Sequence, residues 1–600
     1  MGLPTHSLTR RTVLTAAVCG TVGTAGTLGT IGAVGAVGAV GTFGCTPRQE
    51  PAPPAAWVGA QHARGHRLRS GAALPVATVQ RKARVVVVGG GIAGLAAARA
   101  FQRQGIDDVA LLELEDAAGG NSRGHRIAGM ACPLGAHYLP LPTAASWEVA
   151  EWLHEIGLLK TELGRTVADE RHLCHSPQER LFIDGAWSEG LLPPADPGSA
   201  TAAQYRQFAQ AVRAAQGSDG SDGSAFTLPA HRSPWTSELT ALDRQTFADW
   251  LSARGLTDER LRWYLDYCCR DDYGAGAATV SAWAGLHYFA SRHGFHAPGD
   301  GAAEREAVFT WPDGNAWLVQ RLAAPLSSRI HSGRTVLRVA ESRHGVQVLA
   351  WDEATSQVEA WTAQQVVLAL PLFIAARVLE SPPDALRQAA ALLQYAPWLV
   401  ANVHIDGPLL DRPGAPASWD NVRYDPTRAH ILAPAPAPDA IPGTALGYVD
   451  AMHQSLRPYA GATVLTAYHA LPVAERAALL HDDPAPWRDR VLQDLALMHP
   501  DIHRRARQVD LMRWGHAMAI PQPGVQHHPA LVALRQQRGR VRFAHADLAG
   551  CSVFEEAFTA GCEVALPVPP AHIPALKPAP KPMPKPAPTP TLKPALKPGA

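Results

Sequence analysis

The sequence predicts an α/β fold, and three observations carry that prediction. Val85–Val88 is a short, apolar, β-branched run, as expected of a parallel strand buried on both faces. Ile92–Gln104 follows with helical periodicity and stops at Gly105, where a left-handed C-cap belongs. A second apolar run, Val109–Leu112, restores the strand pattern and delivers Glu113 at its carboxyl end.

Between the first strand and the helix stand Gly89, Gly91 and Gly94. In a strand–turn–helix context each glycine has a distinct task. Gly89 makes the tight turn, Gly91 lets a pyrophosphate approach the backbone, and Gly94 lets the helix sit close on the strand. The N–H groups of Ile92 and Ala93 open the helix, whose positive end suits phosphate. Glu113 lies about 20 residues beyond the turn, where a carboxylate holds ribose hydroxyls. The unit therefore predicts a bound dinucleotide.

Composition sets the frame around that unit. The chain has 600 residues, long enough for two to four domains. With 46% hydrophobic and 18% charged residues it is globular with a sizeable core. A net charge of +1, with no basic block in the central region, argues against nucleic acid as a partner. The eight cysteines show no CxxC pair and no metal-ligand spacing with histidine, so they read as buried free thiols, and no metal site is expected.

The two ends differ from the middle. Arg10 and Arg11 precede an uncharged stretch, Thr12 to Gly44, with glycine at every third position from Gly20. That layout resembles a twin-arginine export signal; the other reading is an uncleaved membrane anchor, which so much glycine disfavours. Cys45 follows "TFG", a poor lipoprotein box whose lipidation would tether the protein. Residues 46–80, rich in Pro, Ala and Arg, read as a linker. The tail 567–600, which alternates Lys and Pro, reads as extended polyproline.

Four motifs in order give a resemblance. "LLELEDAAGGNSRG" resembles the "LEAxxxxGGR" element of the flavin amine oxidase superfamily, which includes monoamine and polyamine oxidases, phytoene desaturases and protoporphyrinogen oxidase. Gly119 and Gly120 match its double glycine; Asn121 stands at the arginine position, with Arg123 as the substitute charge. "PLGAHYL" resembles the segment beside the flavin ring and implicates Gly135 and Ala136, with His137 and Tyr138 facing substrate or packing under the loop. "WPDGNAWLVQRLAAPL" and "RTVLRV" resemble a third element, implying that the Val336 backbone pairs with the adenine. "RVRFAHADLAGCSVFEEAFTAGCEVA" resembles the fourth, in which Phe554 and Glu555 open a helix directed at the flavin pyrimidine. There the family's ribityl-binding acid aligns with Ala546, and Asp547 is one residue late.

The resemblance implies a Rossmann-like FAD-binding domain of the glutathione reductase-like, amine oxidase type, interleaved with an α+β substrate domain. FAD segments are expected at 81–150, 306–375 and 506–566, and substrate segments at 151–305 and 376–505. FAD is expected to be non-covalent, since no cysteine falls between 270 and 550. The implied chemistry is hydride removal from a small organic substrate onto flavin N5, with oxygen or a quinone as acceptor. Amine oxidases of the superfamily commonly hold a water near N5 with a lysine, yet no lysine occurs between Lys160 and Lys577. An amine or polyamine is the favoured substrate, with an isoprenoid desaturase or isomerase and a non-catalytic flavin carrier as alternatives. "LMRWGHAMAIPQPG" resembles a segment of the desaturase branch and nominates Trp514 and His516 for the substrate side. Trp283 and His287 share a helix face that reads as core, and Arg270, Asp271 and Asp272 read as a buried ion pair rather than a recognition site.

Overall fold

In the computed structural model the described residues are 51–69, 76–217, 225–298, 307–431, 443–455 and 461–566. The expected export signal, Cys45 and the Lys/Pro tail lie outside them.

The βαβ unit forms as its residues dictate. After strand β1 (Ala55–Trp57) and helix α1 (His62–His66), strand β2 (Val79–Val88) begins earlier than the valine run, helix α2 spans Ile92–Arg103, and strand β3 is Val109–Leu112. Val85 and Val87 enter the core on one face of the sheet and Val86 and Val88 the core on the other, with at most 2% exposure each. A strand covered on both faces gains no advantage from polar alternation, which is why the run is all valine; each buried valine stabilises by about 1.5–3 kcal/mol. Among the described residues these strands belong to a seven-stranded sheet. Its order runs Ile330–His331, β3, β2, Gln357–Leu368, Gly345–Asp352, Arg334–Ser342, with Val541–Phe543 alongside the end of Gln357–Leu368. Residues from 330–368 and 541–543 thus complete a parallel centre begun at 79–112.

A second sheet of eight described strands forms the half expected to hold the substrate. Its order is β1 (Ala55–Trp57), Ala506–Ala519, Tyr395–Ile405, Thr463–Ala470, Ala445–Asp450, Asp420–Arg423, Glu179–Ile183, Ala186–Glu189. Helices Glu259–Tyr273 and Ala282–Tyr288 contribute to the core that also holds residues of these strands. Trp283 stacks on His287 at 4.5 Å in that core, as their shared face predicts.

Two boundaries differ from expectation. Part of the expected linker 46–80 is structured: β1 pairs in parallel with Ala506–Ala519, preceded by Pro53 and Pro54, and proline beside an edge strand forfeits no ladder hydrogen bond. The stretch 506–519, expected with the FAD half, is the second strand of the substrate sheet, paired antiparallel to Tyr395–Ile405. The described cysteines are free, as read from their spacing. No helix of the described residues is long and apolar enough to cross a membrane.

Candidate functional site

The glycine turn has the geometry that Gly89 and Gly94 require. Gly89 has φ +103°, a conformation that favours glycine. A Cβ on Gly94 would lie 1.8 Å from the Gly89 carbonyl oxygen, so α2 reaches its close seat on the sheet only without one. The loop at Gly119–Gly120 approaches this turn: a Cβ on Gly120 would stand 3.1 Å from the Gly91 Cα. Helix α2 starts at Ile92 without a side-chain cap, and so does the helix Phe554–Val564, whose Gly561 packs on Ala93. Two uncapped helix N-termini therefore open at one cavity, each with free N–H groups.

That cavity has a volume of about 1700 Å³, counting its open mouth. Gly89, Gly91, Ile92, Ala93, Glu113, Gly119, Gly120, Asn121, Gly135, Ala136, His137, Tyr138, Trp514, His516, Asp547, Phe554 and Glu555 all line it. Three expected site residues do not. Gly94 lies behind the turn, as a helix-packing glycine should. Val336 sits opposite Ala350 in the strand Arg334–Ser342. Arg123 turns away toward the Gly59 carbonyl and Glu115, each at 3.5 Å, with its guanidinium 5.5 Å from the Trp514 ring.

At one end of the cavity Glu113 accepts N–H bonds from Gly90 at 2.7 Å and Glu115 at 2.8 Å. Burial pushes its carboxyl up, and the two backbone donors oppose that shift. Toward the middle, Asp547 is fully buried and takes the Tyr395 hydroxyl at 2.6 Å and the Leu372 N–H at 2.9 Å on one oxygen. Burial raises its carboxyl, but His545, Tyr395 and Leu372 together hold it below its usual range. Its other oxygen lies 3.1 Å from His545 Nδ1 but makes no hydrogen bond, because that nitrogen accepts the Asp547 N–H. Asn121 donates to the Ala517 carbonyl, so it joins two walls rather than supplying charge.

The other end is walled by rings and carboxylates. Trp514 donates its indole N–H to the Leu134 carbonyl at 2.7 Å, which fixes the ring beside Gly135. His137 stacks on Tyr468 at 4.4 Å, and burial pushes its pKa down to about 3. His516 lies 4.9 Å from the Phe373 ring, and burial lowers it to about 4. The Tyr138 hydroxyl donates to Asp271 at 3.4 Å. Behind that wall the Asp420 carboxyl is pushed well up by burial, then by Asp271 and Glu179. The described cations of this region are engaged by carboxylates: Arg270 and Arg428 pair with Asp266, and Arg292 bridges Asp272 at 2.8 Å and Glu555 at 3.3 Å. The expectation of buried ion pairs holds for Arg270 and Asp272, while Asp271 and Asp272 both line the cavity.

Sequence reading missed Arg292, Tyr395, Trp398, Tyr468 and Asn315, which also line the cavity. Tyr395 and Trp398 open the buried strand "YAPWLVANVHI", where two large rings at the end of an apolar strand were the one available signal.

The residues present fit FAD. Gly-rich loops meet two uncapped helix ends where a pyrophosphate needs donors, Glu113 stands at the ribose position, and Asp547 keeps an unbonded buried oxygen beside the cavity. No described His, Cys, Asp or Glu cluster could hold a metal ion.

Comparisons with known proteins agree with this geometry. Residues 92–567 match the family described as flavin containing amine oxidoreductase. A search of curated proteins finds no match. Among solved structures, putrescine oxidase bound to putrescine is similar at TM-score 0.56 and 17% identity, over 81% of this chain and 98% of that one. Cyclohexylamine oxidase from Brevibacterium oxydans gives 0.58 and 17% over 80% and 98%. A fatty acid isomerase from P. acnes gives 0.54 and 16% over 80% and 97%.

Proposed function

The chain belongs to the flavin-containing amine oxidoreductase family, and from that premise we propose that it oxidises a small amine by removing hydride from the carbon next to nitrogen. It is an FAD-dependent oxidoreductase: when bound, the flavin supplies the hydride acceptor. The protein's share is to bind the amine, orient it and manage its proton.

The observation that carries the amine reading is the charge of the cavity wall. At the substrate end Asp271, Asp272 and Glu555 face it, against one guanidinium among the described lining residues, Arg292, already bridging two of them. An ammonium group is attracted to such a site and a carboxylate repelled. Asp271, held by the Tyr138 hydroxyl, is placed to accept an amine N–H. The rings of His137, Tyr468, Trp398 and Trp514 make the charged amine costly, so it sheds its proton before the C–H bond breaks. Hydride leaves the carbon, the nitrogen becomes an iminium, and the shed proton passes to solvent.

Desaturation or isomerisation of a polyene is the second reading. It is favoured by the lack of lysine among the described lining residues; Lys160 lies in the exposed hairpin strand Leu159–Glu162. Anaerobic bleaching of the flavin decides between them. Primary amines and diamines should bleach it, whereas unsaturated fatty acids or carotenoids should neither bleach it nor be isomerised, isomerisation being redox-neutral; the reverse pattern sinks the amine reading. Bleaching by a redox partner protein alone would instead indicate an electron carrier.

We further propose export through the twin-arginine route to the periplasm or cell envelope, with oxygen or a quinone as acceptor. A protein that loads a cofactor before export suits a signal of that type. Replacing Arg10 and Arg11 by lysine should leave flavin-loaded protein in the cytoplasm, and normal export of that variant would refute the route.

A further inference from the structure

The segment "PPAAWVGAQHARGHRLR", residues 53–69, has the composition of a linker, yet it is fastened at every turn. At one end β1 adds to the substrate sheet, with Ala55 opposite Val509 and Trp57 opposite Leu511. The Trp57 indole N–H donates to the Asp482 carbonyl at 3.1 Å, and the Arg513 guanidinium lies 4.7 Å over its ring. The chain then turns at Gly59, with φ +88°, where a Cβ would meet the Met512 sulfur at 2.6 Å. From there it crosses to the nucleotide sheet. The Gln61 N–H reaches both carboxylate oxygens of Glu115 at 2.9 and 3.1 Å. Arg64 donates to the Leu114 carbonyl at 2.9 Å and pairs with Asp116 at 2.8 Å. Arg67 pairs with Glu353 at 2.8 Å and lies 5.0 Å over the Trp351 ring.

The Gln61 and Arg64 contacts fall on the turn that carries Glu113, and the Arg67 contacts on the end of the strand Gly345–Asp352 and the residue after it. Glu115, gripped by Gln61, gives its own N–H to the Glu113 carboxylate. Arg123 adds a second link: it touches the Gly59 carbonyl, Glu115 and the Trp514 face, and follows directly on the Gly119–Gly120 loop. The segment thus buttresses both loops that frame the dinucleotide end, without lining the cavity itself.

We propose that residues 53–69 are a strap that closes the adenosine end of the FAD site and governs how fast FAD exchanges. The proposal rests on FAD occupying this cavity. The strap docks on the turn 113–116 in its ligand-holding arrangement, so docking and FAD binding favour each other, and the coupling is reciprocal. The two ion pairs are weak alone, since Asp116 is largely exposed and Arg67 partly so. Together they are suited to a latch that opens without unfolding the domain.

The test measures FAD release from holoenzyme, by the fluorescence of freed flavin, in wild type and in the double variant Arg64→Ala/Arg67→Ala. Release should speed up by about tenfold or more, with turnover at saturating FAD unchanged, because neither residue touches the cavity. Release unchanged within about twofold overturns the strap. Simple loss of stability would lower the melting temperatures of apo- and holoenzyme equally, and that result also overturns it; the strap predicts a smaller stabilisation by FAD. Should the double variant fail to fold, hydrogen exchange of wild-type amides 55–64 reads the same coupling. Their exchange should slow by about tenfold or more when FAD is added, and equal rates reject the proposal. Wild-type protein that takes up no FAD would contradict the cofactor assignment instead, a result distinct from either.

Discussion

The two ends of the cavity are built in opposite ways. At the nucleotide end, Gly89, Gly91, Gly94 and Glu113 lie within one short βαβ unit, where Gly89 and Gly94 leave no room for a Cβ and Glu113 is held by two backbone N–H groups. At the substrate end, Tyr138, Asp271, Trp398, Tyr468 and Trp514 come from five separate elements that meet only when the eight-stranded sheet closes over the ring-binding loop. The first end is constrained by sterics and the second by assembly. Replacements at the nucleotide end should therefore be intolerable, and those at the substrate end should change selectivity.

The largest expected effect is at Gly94. With a Cβ placed 1.8 Å from the Gly89 oxygen, Gly94→Ala must push α2 off the sheet, at a cost above about 3 kcal/mol. Purified protein should carry almost no flavin, read as the absorbance ratio of flavin to protein. Stoichiometric FAD in this variant would mean that the nucleotide end yields as readily as the other.

Asp271 tests the substrate end. Asp271→Asn keeps the shape and the Tyr138 contact but removes the charge. KM for an amine should rise about tenfold to a hundredfold, equivalent to about 1.5–3 kcal/mol, while kcat and flavin content move less. An unchanged KM would transfer recognition to the rings alone.

The contrast also explains what could be read from the sequence. The turn was legible because glycine at 89, 91 and 94, between a valine strand and a helix, has few other uses. Arg123 was misread because the motif places a charge near the pyrophosphate, while its actual partners, Gly59 and Glu115, include a segment that looked like linker. The strand Ala506–Ala519 was assigned to the wrong half because nothing local records its pairing with Tyr395–Ile405, more than a hundred residues away. Asp271 was discounted beside Arg270 and Asp272 because adjacent charges suggest a pair. On the helix Glu259–Tyr273, however, consecutive residues point in different directions, so Arg270 turns into the core while Asp271 and the Arg292-paired Asp272 reach the cavity.

A smaller effect concerns the acceptor. Lysine is absent from the described lining residues, so no ammonium stands ready to hold a water at the reacting face. Stopped-flow reoxidation by oxygen should be about tenfold or more slower than in a lysine-containing amine oxidase, as loss of one positioned polar group implies, with a quinone preferred. Equal oxygen rates would assign the role to another group, His516 or His137 first.

The smallest expected effect is on pH dependence, and it follows from burial. His137 is pushed down to about 3 and His516 to about 4, so both are neutral from pH 5 to 9 and neither gains a proton in that window. The Asp420 carboxyl is pushed well up by burial, then by Asp271 and Glu179, but it does not line the cavity, and Asp420→Asn isolates its contribution. The ionisation left to shape kcat/KM is that of the free amine, whose neutral form grows about tenfold per pH unit below its pKa. The acid limb should therefore move with the substrate: a less basic amine shifts it down by the difference between the two amine pKa values. His137→Gln should alter its position by less than about half a unit, even where it lowers the rate. A limb fixed near pH 6–7 for every amine, and abolished by His137→Gln, would show a titrating histidine at the substrate end. That end would then be tuned by a single residue, as the nucleotide end is by Gly94, and the distinction between the two would fail.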